Sequence, residues 1–220
     1  MNVLVVAPHP DDESIGCGGA LCVHADDGAA VSAVFMTSGE AGLASMPAYE
    51  ARRLREAEAV SAAEILGIAR LEFLRLPDWS LGEHTDAAVE NLTALLDAAQ
   101  PDIIYVPNPK DAHPDHRAAA VAVHDAVSRW HGAPQLLAYE VWTPLGAYDT
   151  VVDVSAHMDR KLAAIRCHRS QLTKVDFVRA TRALNDYRGA IDARYEFAEV
   201  FARVPLDTPL PAAVFRTGWG

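Results

Sequence analysis

Short, nearly continuous apolar runs alternate along this chain with longer stretches in which apolar positions recur every three or four residues. Residues 3–7 (VLVVA), 30–37 (AVSAVFMT), 70–76 (RLEFLRL) and 102–107 (DIIYVP) read as strands. The first is continuous, not alternating, so it is expected to be buried on both faces. The longer stretches predict helices over 17–27, 49–66, 86–99, 117–130 and about 157–166, with Gly67 closing the second. Further strands are expected near 136–142 and 150–154, and the segment 195–204 is assigned to a strand in preference to a helix. Strands spaced by helices imply right-handed crossovers and a mostly parallel sheet covered on both faces, an α/β fold of three αβα layers. No repeat, low-complexity tract or linker interrupts the pattern, so residues 1–220 are expected to form one domain.

Open sheets of this kind place their sites beyond the C-terminal strand ends, where the strand order reverses. Two strand ends stand out. "HPDDE" (9–13) follows the first strand and "NPKDAHPDH" (108–116) follows the fourth. If these strands are neighbours, the loops bring together His9, Asp11, Asp12, Asp111, His113, Asp115 and His116. Imidazole nitrogen and carboxylate oxygen suit a divalent metal, and three protein ligands leave a fourth position for water. His9 and Asp12, three apart in a tight turn, can bind together while Asp11 points at the water; His116 offers a third ligand. The competing reading is a pair of polar loops in which Asp12 or Ser14 caps a helix.

Composition narrows the alternatives. Nineteen Lys and Arg against 30 Asp and Glu give a net charge of −11 without a basic cluster, which argues against nucleic-acid or anionic-membrane partners. No apolar run approaches membrane-span length, and no basic leader precedes the first strand. Cys17, Cys22 and Cys167 have neither the number nor the spacing of a disulfide framework, so a cytoplasmic location is expected. The glycines of "GCGG" (16–19) miss the dinucleotide fingerprint at Leu21 and follow three acids that would repel phosphate. They are read as room for the chain to turn close to the metal. A non-haem iron oxygenase would also use two histidines and a carboxylate, but Asp11 has no obvious task there. A binding protein with a decayed site is disfavoured by the intact set.

"PHPDDE" with "GCGG" and the later "DAHPDH" resembles the PIG-L/LmbE-like zinc-dependent N-deacetylases. "TSGE" (37–40), Arg55 with Glu58, "LPD" (76–78) and "HRSQ" (168–171) extend the resemblance over most of the chain. It implies a Rossmann-like fold, a mononuclear zinc, and substrates that are N-acetylglucosaminyl compounds or related amides; a non-sugar or thiol-conjugate amide is the alternative. Fe2+ or another divalent ion would suit the same donors. The resemblance makes His9, Asp12 and His116 the metal ligands, Asp11 the general base and His113 the second catalytic group. Asp111 or Asp115 is a candidate to orient His113. Arg55 reads either as a surface partner of Glu58 or, through the resemblance, as a contact to a substrate hydroxyl. Asp78 reads either as a turn former or as a partner for sugar hydroxyls, with Trp79 over an apolar sugar face. His24 in "HADD" is expected to be solvated, Cys17 packed, and His168 structural unless the resemblance draws it towards the pocket. Loops 40–50 and 143–149 are expected to set selectivity, and 207–220 to serve as a tail, a pocket lid or part of a homo-oligomer interface, a trimer or hexamer suiting the resemblance.

Overall fold

The alternation of strands and helices closes into one seven-stranded sheet between helical layers. The computed structural model describes residues 1–191 and 195–210. In chain order the elements begin with β1 (Asn2–Ala7), α1 (Asp12–Asp26), β2 (Ala30–Phe35), α2 (Ala48–Leu66) and β3 (Arg70–Phe73). They continue with α3 (Thr85–Ala99), β4 (Ile103–Pro107), α4 (Pro114–Arg129), β5 (Gln135–Tyr139) and β6 (Thr150–Asp153). The last are α5 (Met158–Ile165), α6 (Arg169–Leu172), α7 (Phe177–Ile191) and β7 (Ala198–Arg203). Strand order is β3-β2-β1-β4-β5-β7-β6; the pairs from β3 through β5 are parallel and only β7 runs against its neighbours.

Alternate residues of the central strands feed two cores. Leu4 and Val6 of β1 pack with Ile104, Leu92, Leu96 and Val123 under α3 and α4. Val3 and Val5 point the other way, towards Leu21, Ala59, Leu66 and Tyr105 under α1 and α2. This two-sided burial is what the continuous apolar run in β1 requires. No helix among the described residues is long and apolar enough to cross a membrane.

Several boundaries move. α1 starts at Asp12, not at 17, so the glycines lie inside it. The helix breaks at Cys17 (φ −140°, ψ 15°). Glu199 of β7 caps the second half, accepting the Gly19 and Ala20 amides at 2.8 and 2.7 Å while Lys161 donates to it at 2.6 Å. The glycines therefore give close packing and not space beside a metal: a Cβ at Gly16 would lie 2.2 Å from the Tyr139 ring, and one at Gly19 2.6 Å from Val154. α4 starts at Pro114, earlier than 117, which puts Asp115 and His116 on its first turn with His113 as the N-cap. The third strand stops at Phe73, short of 76. α6 and α7 have no counterpart in the sequence pattern. Residues 211–220 of the expected tail lie outside the described residues.

Candidate metal centre

β1 and β4 lie side by side and parallel, with strand order running outward from them in both directions, so their C-terminal ends form the switch point. The chain leaving β1 presents His9 and then Asp12 at the start of α1; the chain leaving β4 presents His113 and then His116 one turn into α4. The rings meet: His9 lies 4.8 Å from His113 and 5.3 Å from His116, centroid to centroid. Nitrogens of His9, His113 and His116 all come within 4.8 Å of one another. Asp12 Oδ2 stands 3.1 Å from His9 Nδ1 and 3.2 Å from His116 Nε2. Ligands about 2.0–2.1 Å from a tetrahedral zinc are about 3.3 Å apart, so these separations fit two edges of such a site.

His116 supplies the sharper test of fit. It is fully buried, and neither ring nitrogen has a hydrogen-bond partner among the described residues, although Asp12 lies at hydrogen-bond distance. A buried imidazole without partners is costly unless an ion completes it. Behind each candidate histidine stands a carboxylate. His9 Nε2 is 3.2 Å from Asp78 Oδ1 and 3.4 Å from Asp115 Oδ2, and His116 Nδ1 is 3.6 Å from Asp111 Oδ1. Carboxylate–histidine pairs of this kind fix the ring and strengthen the nitrogen that faces a metal.

The charges follow from this crowding. Burial opposes a charge on His116, yet the Asp12 and Asp111 carboxylates outweigh it and push the pKa up to about 9. His9 is raised well above its ordinary value against the same burial, by Asp115, Asp12 and Asp78. Asp12 is buried too, but His116 and His9 hold it well below the usual carboxylate range. Asp11 differs: burial raises it to about 6, Arg55 lowers it and the neighbouring Asp12 charge raises it. Its backbone is unusual as well, with φ +129°, a region that side-chain-bearing residues rarely adopt.

His113 is positioned through its backbone. Asp111 Oδ1 accepts its N–H at 2.9 Å, and His113 Nδ1 accepts the Asp115 N–H at 3.2 Å. An accepting Nδ1 leaves the proton of the neutral ring on Nε2. Burial, then the His9 and His116 charges, depress its pKa to about 4. Neither carboxylate grips the His113 ring, contrary to expectation. Asp111 serves His116 and also accepts the Trp142 and Thr143 amides, while Asp115 serves His9 and accepts the amides of Trp79 and Leu81. Trp79 is half exposed and its indole lies 4.6 Å from the His113 ring, covering one side of the site.

Arg55 and Glu58 are both buried and do not pair, so the surface reading fails. Arg55 donates to the carbonyls of Gly39 (2.7 Å) and Pro10 (2.5 Å) and lies 3.3 Å from Asp11 Oδ1. Asp78 accepts the Ala41 and Trp79 amides besides facing His9. His24 is not simply solvated, since its Nε2 lies 2.9 Å from the Tyr105 hydroxyl. Sequence reasoning gave no role to Glu13 and offered Ser14 only as a helix cap, although the acidic run 11–13 contains the signal; with His168 they form a buried cluster beside Asp11.

Fold and donors together define an α/β protein with a candidate metal centre at the switch point of its sheet. Residues 4–127, more than half of the chain, match the family described as GlcNAc-PI de-N-acetylase (PIG-L). A probable N-acetyl-α-D-glucosaminyl L-malate deacetylase 2 from Bacillus cereus is 33% identical over 77% of this chain and 83% of its own length. Among solved structures, the N,N'-diacetylchitobiose deacetylase of Pyrococcus horikoshii has a TM-score of 0.82 at 27% identity, covering 93% of this chain and 84% of that one. The 4-carboxy-2-hydroxymuconate hydratase of Pseudomonas putida has a TM-score of 0.83 at 25% identity, covering 99% and 100%. The chain belongs to the PIG-L family.

Proposed function

We propose that this protein is a zinc-dependent N-deacetylase that hydrolyses the acetamide of an N-acetylglucosamine-type sugar or glycoconjugate. The observation that carries this reading is the buried His116 imidazole, neither nitrogen of which is hydrogen-bonded among the described residues, set against Asp12 and His9, with the Asp11 carboxylate of the same turn held 3.3 Å from Arg55. His9, Asp12 and His116 would hold the ion, which supplies Lewis acidity and a water of pKa about 7.

An amide is a weak electrophile with a poor leaving group, so the chain must move protons at two atoms. Asp11, poised at about 6, takes the proton of the attacking water and returns it to the leaving nitrogen. His113 donates its Nε2 hydrogen to the carbonyl oxygen as that oxygen gains negative charge; because Nδ1 accepts the Asp115 amide, the neutral ring already carries that hydrogen. Arg55 and Asp78 act on the loops and on His9: Arg55 Nη1 and Nη2 donate to the Gly39 and Pro10 carbonyls, and Asp78 accepts the Ala41 amide while facing His9. Trp79 offers its exposed ring to the sugar. The three cysteines are free, which suits a cytoplasmic enzyme.

Metal content and release of acetate and free amine from N-acetylglucosamine conjugates test this directly. Wild type is expected to carry about one zinc per chain, and Asp11→Asn to keep it while losing about 10²–10⁴-fold in kcat. A metal-free wild type, or one inert towards every acetamide, sinks the proposal. The match to a hydratase favours a second reading, addition of water to a carbon–carbon double bond. That reaction would consume an unsaturated acid without releasing any amine.

A further inference from the structure

Asp11 sits at φ +129° and ψ −27°, outside the region a carboxylate-bearing residue prefers, so its surroundings must hold it there. Its amide donates to Glu13 Oε2 at 3.0 Å. The other Glu13 oxygen accepts the Ser14 hydroxyl at 2.6 Å and faces His168 Nε2 at 3.3 Å. From another side, Arg55 holds the Pro10 carbonyl, the oxygen of the peptide that joins residue 10 to residue 11. One helix organises both grips. Glu58, three residues after Arg55 on α2, accepts the Ser170 amide at 2.9 Å and its hydroxyl at 2.6 Å, which seats the segment carrying His168. The "HRSQ" stretch and the Arg55/Glu58 spacing, two features of the sequence without a place in the chemistry, thus converge on one backbone position.

Glu13, Ser14 and His168 are each 1% exposed or less, so water does not solvate this acid and imidazole. Burying such a pair is costly, and core stability alone is served as well by apolar side chains. We infer that Glu13 and His168 are positioning residues for Asp11, holding its backbone in the strained conformation that aims its carboxylate at the water. The inference rests on Asp11 being the base.

His168→Ala and His168→Gln distinguish this from a purely structural role, because the glutamine amide nitrogen can stand where Nε2 stands and donate to Glu13. Zinc content, kcat and KM are measured for both, with crystal structures to read φ at Asp11. His168→Ala is expected to keep about one zinc per chain and a KM within about twofold. It should lose about 10–100-fold in kcat, as a misplacement of about 1 Å does, with Asp11 relaxed to negative φ. His168→Gln should recover most of the rate and the positive φ. If His168→Ala does not fold, Ser170→Ala loosens the same segment and should show the same kcat-specific loss in milder form. An unchanged φ, zinc lost in step with activity, or equal losses in the alanine and glutamine variants overturns the inference. Should wild type prove inert towards acetamides, the base assignment falls with the proposed function. The φ comparison needs no turnover and still decides what Glu13 and His168 hold.

Discussion

His9 and His116 both carry pKa values above that of a free imidazole in the metal-free chain, so a metal must displace their protons before it binds. His116 stays charged up to about pH 9, against 6.5 when free. Zinc affinity is therefore expected to climb with pH up to about 9, and calorimetry in buffers of different ionisation enthalpy should register proton release on binding at pH 7. The same shift has a sign for stability. A histidine raised on folding contributes fully below pH 6.5 and loses that contribution as pH rises through about 9. The urea midpoint of EDTA-treated protein should accordingly fall across that window. The position of the two motifs was enough to gather His9, Asp11, Asp12, Asp111, His113, Asp115 and His116, because loops leaving adjacent strand ends meet; the separate tasks expected of them came from the family resemblance. Position misled on the supporting acids. Asp111 and Asp115 flank His113 in sequence, but their carboxylates reach the His116 and His9 rings, Asp111 from the loop before α4 and Asp115 from its first turn, and Asp111 touches His113 only at its backbone N–H.

α1 shows how tertiary contacts override local preference. Four residues of low helical tendency, Gly16, Cys17, Gly18 and Gly19, lie inside it because Tyr139 and Val154 leave no room for larger side chains and Glu199 recaps the broken ladder. Gly16→Ala should cost about 1–3 kcal/mol through overpacking against Tyr139. Gly146→Ala, with nothing within 4 Å of the new methyl, should stay within about 0.5 kcal/mol. Urea denaturation of the two variants checks the contrast. Lys161→Ala would leave Glu199 buried without its cation and should cost about 3–5 kcal/mol by the same measurement. α7 escaped the sequence pattern for a related reason: the residues it buries are Thr181, Asn185, Arg188 and Gly189, so its inward face has helical spacing without apolar character.

Across the molecule, the parallel half of the sheet and its switch point were legible from alternating strands and helices, since parallel neighbours need a crossover between them. The strand at 195–204 was legible, but its reversed direction was not. Direction depends on partners distant in sequence: β7 lies between β5 and β6. One metal spanning the ends of β1 and β4 would tie together both cores. Saturating zinc at about 100 times its Kd should add about 2.7 kcal/mol, and removing it with EDTA should lower Tm by about 5–10 °C in a scanning-calorimetry comparison. The backbone at Asp11 carries an evolutionary consequence. Glycine would be at ease at φ +129°, so a mutant library screened for heat resistance alone is expected to enrich glycine at position 11 and return sturdier molecules that no longer turn over. Screening the same library for product as well should purge that allele.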